Sequence, residues 1–464
     1  MKSTALVLLM ILAPSVAFAQ TGQEHDPAST PLSPSSPSVE PGTNAPAQGT
    51  LPGTVAQSPT TDYARFEALR PKGWDIPFPR IQDTIAQDAG GVRSALADAG
   101  IGIMGLSANT GVYNLRGDST PGASYNGRKP TYEVGIQCIF LSFDTGKIGL
   151  EGGQFLVTAA SVTNGLRQID GPRFTRITNL AYYQALAHGH VEVKVGYLDN
   201  LQEFVGTAVA GSLASGNLGP QAQIPVQLGF GYNGIGAPAI NVRLNASNGL
   251  YTKFGAQRSL PPGGANAEVP LNGGLGLRFN LPGARALFVD EVGLHREAEA
   301  GQRSLWFRAG VIYNTTRFTN YKTGGTSENY ALYAAVDRQL TQTDKDRPFR
   351  GVYLGASVNY APSSRNLYSQ YYEARVYGIG LIKKRPFDLA SIVASYNKLS
   401  NFALDAIVPN QKSQDYAASV VASYAYRVTH GLYLQPGLGL VKNPTYAPKV
   451  PLAVNGYLSL SLLI

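Results

Sequence analysis

The sequence has a single cysteine and little charge. Because Cys138 stands alone, an internal disulfide is excluded, and no Cys-x-x-Cys or Cys/His metal spacing occurs. Charged residues make up 15% of the chain, with a formal net charge of +8. The lysines and arginines recur singly along the chain, whereas nucleic-acid binding gathers them into one basic patch. These absences disfavour disulfide-stapled, zinc-binding and nucleic-acid-binding proteins.

Long hydrophobic runs are also missing. No stretch approaches the ~18 consecutive apolar residues of a transmembrane helix. The short apolar run at residues 5–13 follows Lys2 and precedes an A-x-A pattern at residues 17–19, which predicts a signal peptide over residues 1–19 that is cleaved on secretion through the inner membrane. A secreted chain of this kind can still cross a membrane as a β-barrel, because a closed barrel pairs every backbone group internally.

Two segments precede the predicted barrel. Residues 20–62 are rich in Pro and Ser, have almost no large apolar side chains, and are predicted to be a disordered extension. Residues 63–99 are predicted to form a short helical lead-in on the periplasmic side, interrupted at Gly90-Gly91. This lead-in either plugs the barrel or simply covers its end, and the second interpretation is preferred. The apolar residues expected to share one helical face are Ile81, Ile85, Val92 and Leu96.

What the chain does have is glycine, tyrosine and alternation. It contains 52 Gly and 26 Tyr, and from about residue 100 onward short segments alternate between apolar and polar side chains. Examples lie at 190–197, 239–245, 305–313 and 351–360. Apolar-out, polar-in segments of about ten residues are typical of outer-membrane barrels. The prediction for residues 100–464 is therefore an all-β, transmembrane antiparallel β-barrel of about 16 strands, with about 18 segments available.

The alternation assigns faces to individual residues. Ile240, Val242 and Leu244 are expected to contact lipid, with Asn241 and Arg243 in the lumen. Cys138 is expected on the outer, lipid-facing side of its strand. The last segment alternates up to Ile464, which indicates recognition by the outer-membrane assembly machinery, although such signals usually end in an aromatic residue.

Several short motifs, in order, resemble the OprB-type carbohydrate-selective porin family. They are LADAGI at 96–101, IGLEGGQF at 148–155, VEVKVGY at 191–197, GLIKKRPFD at 380–388, LQP at 434–436 and KNP at 442–444. The segment 420–423 lacks the acidic residue that the family often has there. The resemblance covers about residues 96–464, and it implies a sixteen-stranded barrel in the Gram-negative outer membrane that carries sugars or similar polyols by facilitated diffusion.

A sugar-selective lumen needs aromatic faces for C–H surfaces and polar groups for hydroxyls. More inward Arg than inward acid is expected, which indicates a mildly basic constriction. No nucleotide site or energy coupling is visible, so transport should be passive, without a cofactor or metal. The candidate pore-lining or substrate-contact residues are Glu192, Lys194, Asn241, Arg243, Arg278, Trp306, Arg308, Tyr353, Glu373 and Arg375.

Other functions stay open at this point. A general porin or a pore for small organic anions is the nearest alternative, and a barrel hydrolase is less favoured because no G-x-S-x-G motif occurs and His188 and His190 lack a third clustered ligand. A structural or adhesive barrel is the third class. The expected partners are outer-membrane lipid and lipopolysaccharide, the assembly machinery and small neutral sugars. No nucleic acid is expected, and a homo-oligomer is open.

Overall fold

The computed structural model describes residues 62–74, 80–117, 131–164, 173–205, 218, 222–231, 234–450 and 452–464. The predicted signal peptide and nearly all of the predicted extension lie outside the described residues.

Sixteen antiparallel strands form one closed barrel, as the alternation predicted. Each strand pairs with its neighbours in sequence, and the first pairs with the last, so the sheet has no free edge. The strands are β1 (Ile101–Asn114), β2 (Thr131–Asp144), β3 (Gly153–Asn164), β4 (Phe174–Leu186), β5 (Val191–Leu198), β6 (Ala237–Asn245), β7 (Leu250–Arg258), β8 (Ala286–Arg296), β9 (Leu305–Thr319), β10 (Thr326–Gln339), β11 (Gly351–Tyr360), β12 (Tyr368–Ile379), β13 (Leu389–Leu399), β14 (Tyr416–Thr429), β15 (Leu432–Lys442) and β16 (Ala453–Leu463).

The two faces of the wall differ as a barrel in lipid requires. On β6, Ile240 and Leu244 are 42% and 49% exposed on the outside, whereas Asn241 is 4% exposed and points inward. On β16, Leu458 and Leu460 are exposed and Ser459 is buried between them. The predicted register of both strands is confirmed, because each side chain alternates to the opposite face of the sheet.

Short helices form in the segments that precede or connect the strands. They are α1 (Tyr63–Ala68), α2 (Val92–Asp98), α3 (Ile224–Gln227), α4 (Gly264–Asn272) and α5 (Asn401–Ile407). None of the helices in the described residues has the length and apolarity that a membrane crossing requires. The connections at the end that holds the termini are short and those at the opposite end are longer, which assigns the terminal end to the periplasm.

The described parts of the lead-in, residues 63–74 and 80–99, pack into the periplasmic end of the barrel. Trp74 makes an edge-to-face contact with the inward Phe140 of β2, with 5.7 Å between ring centroids. The Gln154 side-chain amide donates to the carbonyl of Arg70 at 3.0 Å. Farther round the wall, the Asp83 carboxylate accepts from the Arg427 Nε of β14 at 2.8 Å. The described parts of the segment therefore contact several strands of the wall and narrow this mouth.

Two predictions about this region are wrong. Cys138 is fully buried on the inward face, beside Phe140, and not on the lipid side. The reason is that the lead-in covers this part of the lumen, so the inward face of β2 is apolar here. The expected helical face is not formed either, since Ile81 is buried while Ile85 and Val92 are 50% and 59% exposed.

Candidate functional site

The longest connection of the barrel follows β5. Its described residues, 199–205, 218, 222–231 and 234–236, lie in the lumen, and we call them the inward segment. Its start and end are tied together, because the Asp199 carboxylate accepts from the backbone N–H of Gly234 at 2.8 Å. The Asp199 backbone N–H in turn donates to the Asn179 side chain of β4 at 3.0 Å. Burial, the main cause, raises the pKa of Asp199 to about 7.

Glu203 anchors the inward segment to β5, β6 and β7. Its carboxylate accepts from Lys194 Nζ at 2.7 Å and from Asn241 Nδ2 at 2.5 Å. The Lys253 ammonium donates to the Glu203 backbone carbonyl. All four residues are at most 4% exposed. Lys194 and Asn241, two of the predicted pore-lining residues, thus hold the segment in place and present little surface to a solute.

A second anchor comes from the wall itself. Glu291 of β8 accepts from the Tyr333 hydroxyl at 2.7 Å, from the Tyr251 hydroxyl at 3.0 Å and from the Val205 backbone N–H at 3.3 Å. Arg308 of β9 donates from Nε to the Val205 carbonyl at 3.1 Å. Val205 therefore engages two charged wall residues through its backbone, and Arg308 is covered as a result.

The predicted aromatic platforms are also covered. The Arg308 guanidinium lies 3.8 Å from the Trp306 ring centroid, a cation–π contact, and Trp306 is 4% exposed. Tyr353 stacks on Tyr377 with centroids 4.9 Å apart, and its hydroxyl donates to the Phe349 carbonyl at 2.6 Å. Both predicted rings contact protein on their faces and offer no open stacking surface to a sugar.

Arg375 lies at the centre of a charged cluster on β10, β11 and β12. It donates to both carboxylate oxygens of Asp337 at 2.9 and 2.6 Å, to Glu373 at 2.6 Å and to the Ser357 hydroxyl at 2.8 Å. Arg375 is 1% exposed, while Glu373 and Ser357 are only partly buried. The two carboxylates neutralise the guanidinium, and the accessible charge of the cluster is that of Glu373.

Glu192 and Arg243 remain partly accessible near the periplasmic end. Glu192 and Arg243 face each other on β5 and β6, and Asn245 bridges them: its amide donates to Glu192 at 2.6 Å, and its oxygen accepts from Arg243 Nε at 2.7 Å. The Arg243 guanidinium lies 4.1 Å from the Tyr251 ring centroid. This group offers donors, acceptors and a charge of each sign to the lumen.

Arg278 does not join the other nine candidates. It lies in the connection between α4 and β8, where it is exposed, and its guanidinium donates to the Leu271 carbonyl at 2.9 Å. The sequence interpretation placed it on an inward strand face because apolar residues flank it. This connection contains three glycines with positive φ angles, which are common in loops and rare in strands: Gly273, Gly276 and Gly283.

Sequence reasoning missed three acidic residues that complete the site: Glu203, Glu291 and Asp337. Glu291 and Asp337 alternate with lipid-facing neighbours in β8 and β10, so the strand pattern could have found them. Glu203 lies in an aperiodic run, and nothing in the sequence signals its role. Glu203 and Asp337 offset Lys194 and Arg375, so these two bases add little net charge to the lumen.

A closed barrel of sixteen antiparallel strands, with its longest connection folded into the lumen, is a porin. The model of the carbohydrate-selective porin OprB family matches residues 100–455, and the chain belongs to that family. It is an outer-membrane porin for carbohydrates of a Gram-negative bacterium, and its family is one of channels.

Solved structures agree on the fold. The high-pH structure of Pseudomonas putida OprB matches with a TM-score of 0.68 and 18% identity, over 81% of this chain and 97% of that one. The low-pH structure of Pseudomonas putida OprB matches with a TM-score of 0.53 and 14% identity, over 83% of this chain and all of that one. Comparison with curated protein sequences gives no significant match.

Proposed function

We propose that this porin conducts small neutral sugars passively, through a lumen narrowed by the inward segment and by the lead-in. Glu192, Arg243 and Glu373 are the predicted contacts that still present surface to a solute. The other inward candidates are covered by protein and act on the solute indirectly, by fixing the shape of the channel. They are Lys194, Asn241, Trp306, Arg308, Tyr353 and Arg375.

Charge pairing is the observation that carries this proposal. Lys194 is paired with Glu203 at 2.7 Å, and Arg375 with Asp337 at 2.6 Å. A lumen whose buried bases are matched by acids has no strong net field to concentrate ions of one sign. Hydrogen-bonding groups of both kinds remain available for hydroxyls, which suits an uncharged polyol.

The test is ion conductance of the purified porin in a planar bilayer, with glucose added in steps and with asymmetric salt. We expect glucose to reduce the ion current in a saturable way and the reversal potential to indicate weak ion selectivity. A strongly cation-selective current that glucose does not alter would contradict the proposed sugar transport, and the protein would then be a general porin.

Transport of small organic anions is the second candidate, and Arg243 favours it. Its guanidinium is only partly buried beside the lumen, where it offers a positive charge to a carboxylate solute. In the same bilayer experiment, saturable block by a small carboxylate without block by glucose would favour this function over sugar transport.

Processing and assembly complete the proposal. Residues 1–19 are removed on secretion, residues 20–62 extend into the periplasm without contributing to the barrel, and the alternating β16 is read by the assembly machinery. The lumen carries out no catalysis, and lipid with lipopolysaccharide surrounds the wall. Mass spectrometry of the mature protein tests the cleavage after Ala19.

A further inference from the structure

The same five-residue pattern occurs on two adjacent strands. Residues 391–395 read SIVAS on β13, and residues 419–423 read SVVAS on β14. The strands are antiparallel, and the pattern Ser-x-Val-x-Ser is the same in either direction. The register therefore places serine opposite serine and valine opposite valine, as Ser391–Ser423, Val393–Val421 and Ser395–Ser419.

These three pairs, which we call the serine ladder, face the lumen. Their neighbours Ile392 and Val420 are 57% and 48% exposed on the lipid side, so the serines and valines point inward. The hydroxyl oxygens of Ser395 and Ser419 are 2.9 Å apart, and those of Ser391 and Ser423 are 3.2 Å apart.

The serines of the ladder are slightly more accessible than Arg308 and Arg375, two of the charged residues predicted to line the pore. Ser395 and Ser419 are each 7% exposed, whereas Arg308 and Arg375 are each 1% exposed. Ser423 is only partly buried, and it accepts from the Gln435 amide of β15 at 2.9 Å. The polar surface continues toward β12, where Glu373 lies directly opposite Ser395 in the register.

We propose that the serine ladder is the surface along which an uncharged polyol moves, an assignment that rests on the proposed sugar-transport function. A serine hydroxyl carries one proton and two lone pairs, so a hydroxyl within a pair can still accept from a solute. Residues four apart on a strand are separated by about 13 Å, so the two serine pairs can bind hydroxyl groups at two levels of the channel.

Glu373 adds discrimination against acids. It is the partly accessible charged group beside the ladder, and its carboxylate repels a sugar acid while accepting hydrogen bonds from neutral hydroxyls. The substrate class of the ladder is therefore neutral sugars and polyols in preference to sugar carboxylates.

The test compares the full-length porin with the double variant Ser395→Ala/Ser419→Ala in planar bilayers. We expect the glucose concentration for half-block of the ion current to rise about two- to tenfold, since one or two hydrogen bonds are lost. Conductance in salt alone should be unchanged. Ser461→Ala is the matched control, because Ser461 faces inward on β16 but is only 2% exposed. Ser395→Thr/Ser419→Thr keeps the hydroxyls and should retain most of the wild-type affinity.

The outcomes separate the ladder from the general function. If glucose blocks the wild type and the double alanine variant equally, the ladder is not the path, although sugar transport stands. If glucose does not block the wild type at all, the proposed function itself fails. Glu373→Gln gives an independent measurement: block by glucuronate should strengthen relative to block by glucose, and an unchanged ratio of the two half-block concentrations would overturn the discrimination by Glu373.

Discussion

Two parts of the same barrel wall use polar side chains in opposite ways. On β9 to β12, Arg308 and Arg375 are strongly charged and almost fully covered, and each holds other protein groups. On β13 and β14, Ser395 and Ser419 are uncharged, weakly bonded and more accessible. Strong groups fix the shape of the channel, whereas weak groups can bind and release a solute quickly, because a neutral hydrogen bond contributes only about 0.5–1.5 kcal/mol.

The largest effect should come from breaking the charged wall. Arg375→Ala leaves Asp337 and Glu373 without their shared cation, and breaking a buried pair of this kind costs about 3–5 kcal/mol. Ser395→Ala should cost at most about 0.5–1.5 kcal/mol. Urea unfolding of the barrel in detergent, followed by tyrosine and tryptophan fluorescence, measures both.

An apolar double variant provides the control for this measurement. In Arg375→Met/Asp337→Leu both members of the more deeply buried ion pair are replaced together, so less buried charge is left unmatched and part of the lost stability should return. Equal unfolding midpoints for Arg375→Ala and Ser395→Ala would show that the two walls do not differ in this way.

A smaller effect is expected at the anchor of the inward segment. Glu203→Gln preserves shape but removes the negative charge that Lys194 pairs with at 2.7 Å, which should cost about 1–3 kcal/mol locally. The segment should then leave its position more often. Single-channel recordings should show larger and noisier conductance than in the wild type.

Glu192→Gln is the control for the anchor, since Glu192 lies on the same strand as Lys194 but is partly accessible and does not hold the segment. It should leave the channel noise unchanged. If both glutamine variants behave like the wild type, Glu203 does not position the segment.

The wall could be predicted from the sequence more fully than the lumen. The segment predicted at residues 351–360 coincides with β11, because lipid on one side and polar groups on the other impose a period of two on every strand. That argument holds only where the lumen is open. Cys138 faces inward, against expectation, because the lead-in fills that side.

The sequence predicted which residues of the candidate site face inward, but it did not predict what they contact. Arg308 and Lys194 lie inward, as the alternation predicted, yet both contact the inward segment instead of open lumen. Their environment depends on how the described residues of the inward segment fold back, and the sequence there has no periodicity that would reveal these contacts. The repeated Ser-x-Val-x-Ser pattern was visible in the sequence, but its meaning requires the register that pairs β13 with β14.

The smallest effect compares an accessible arginine with a covered one. Arg243 is partly buried beside the lumen, so Arg243→Ala should lower the anion-to-cation permeability ratio. The interaction energy of a screened, accessible charge is ~0.2–1 kcal/mol. That energy corresponds to about a 1.4- to 5-fold change in the ratio, and it should shrink as salt is raised. Arg308→Ala should change the ratio less at the same salt, because Arg308 is 1% exposed.

Reversal potentials in asymmetric potassium chloride measure both variants, with Arg243→Lys as the variant that keeps the charge. The comparison is informative in either direction. A larger change for Arg308→Ala than for Arg243→Ala would mean that the covered charge still sets the field of the channel, and that burial is a poor guide to which residues a solute senses. A larger change for Arg243→Ala, with none for Arg243→Lys, would assign ion selectivity to the accessible group and leave Arg308 the structural role that its bond to the Val205 carbonyl indicates.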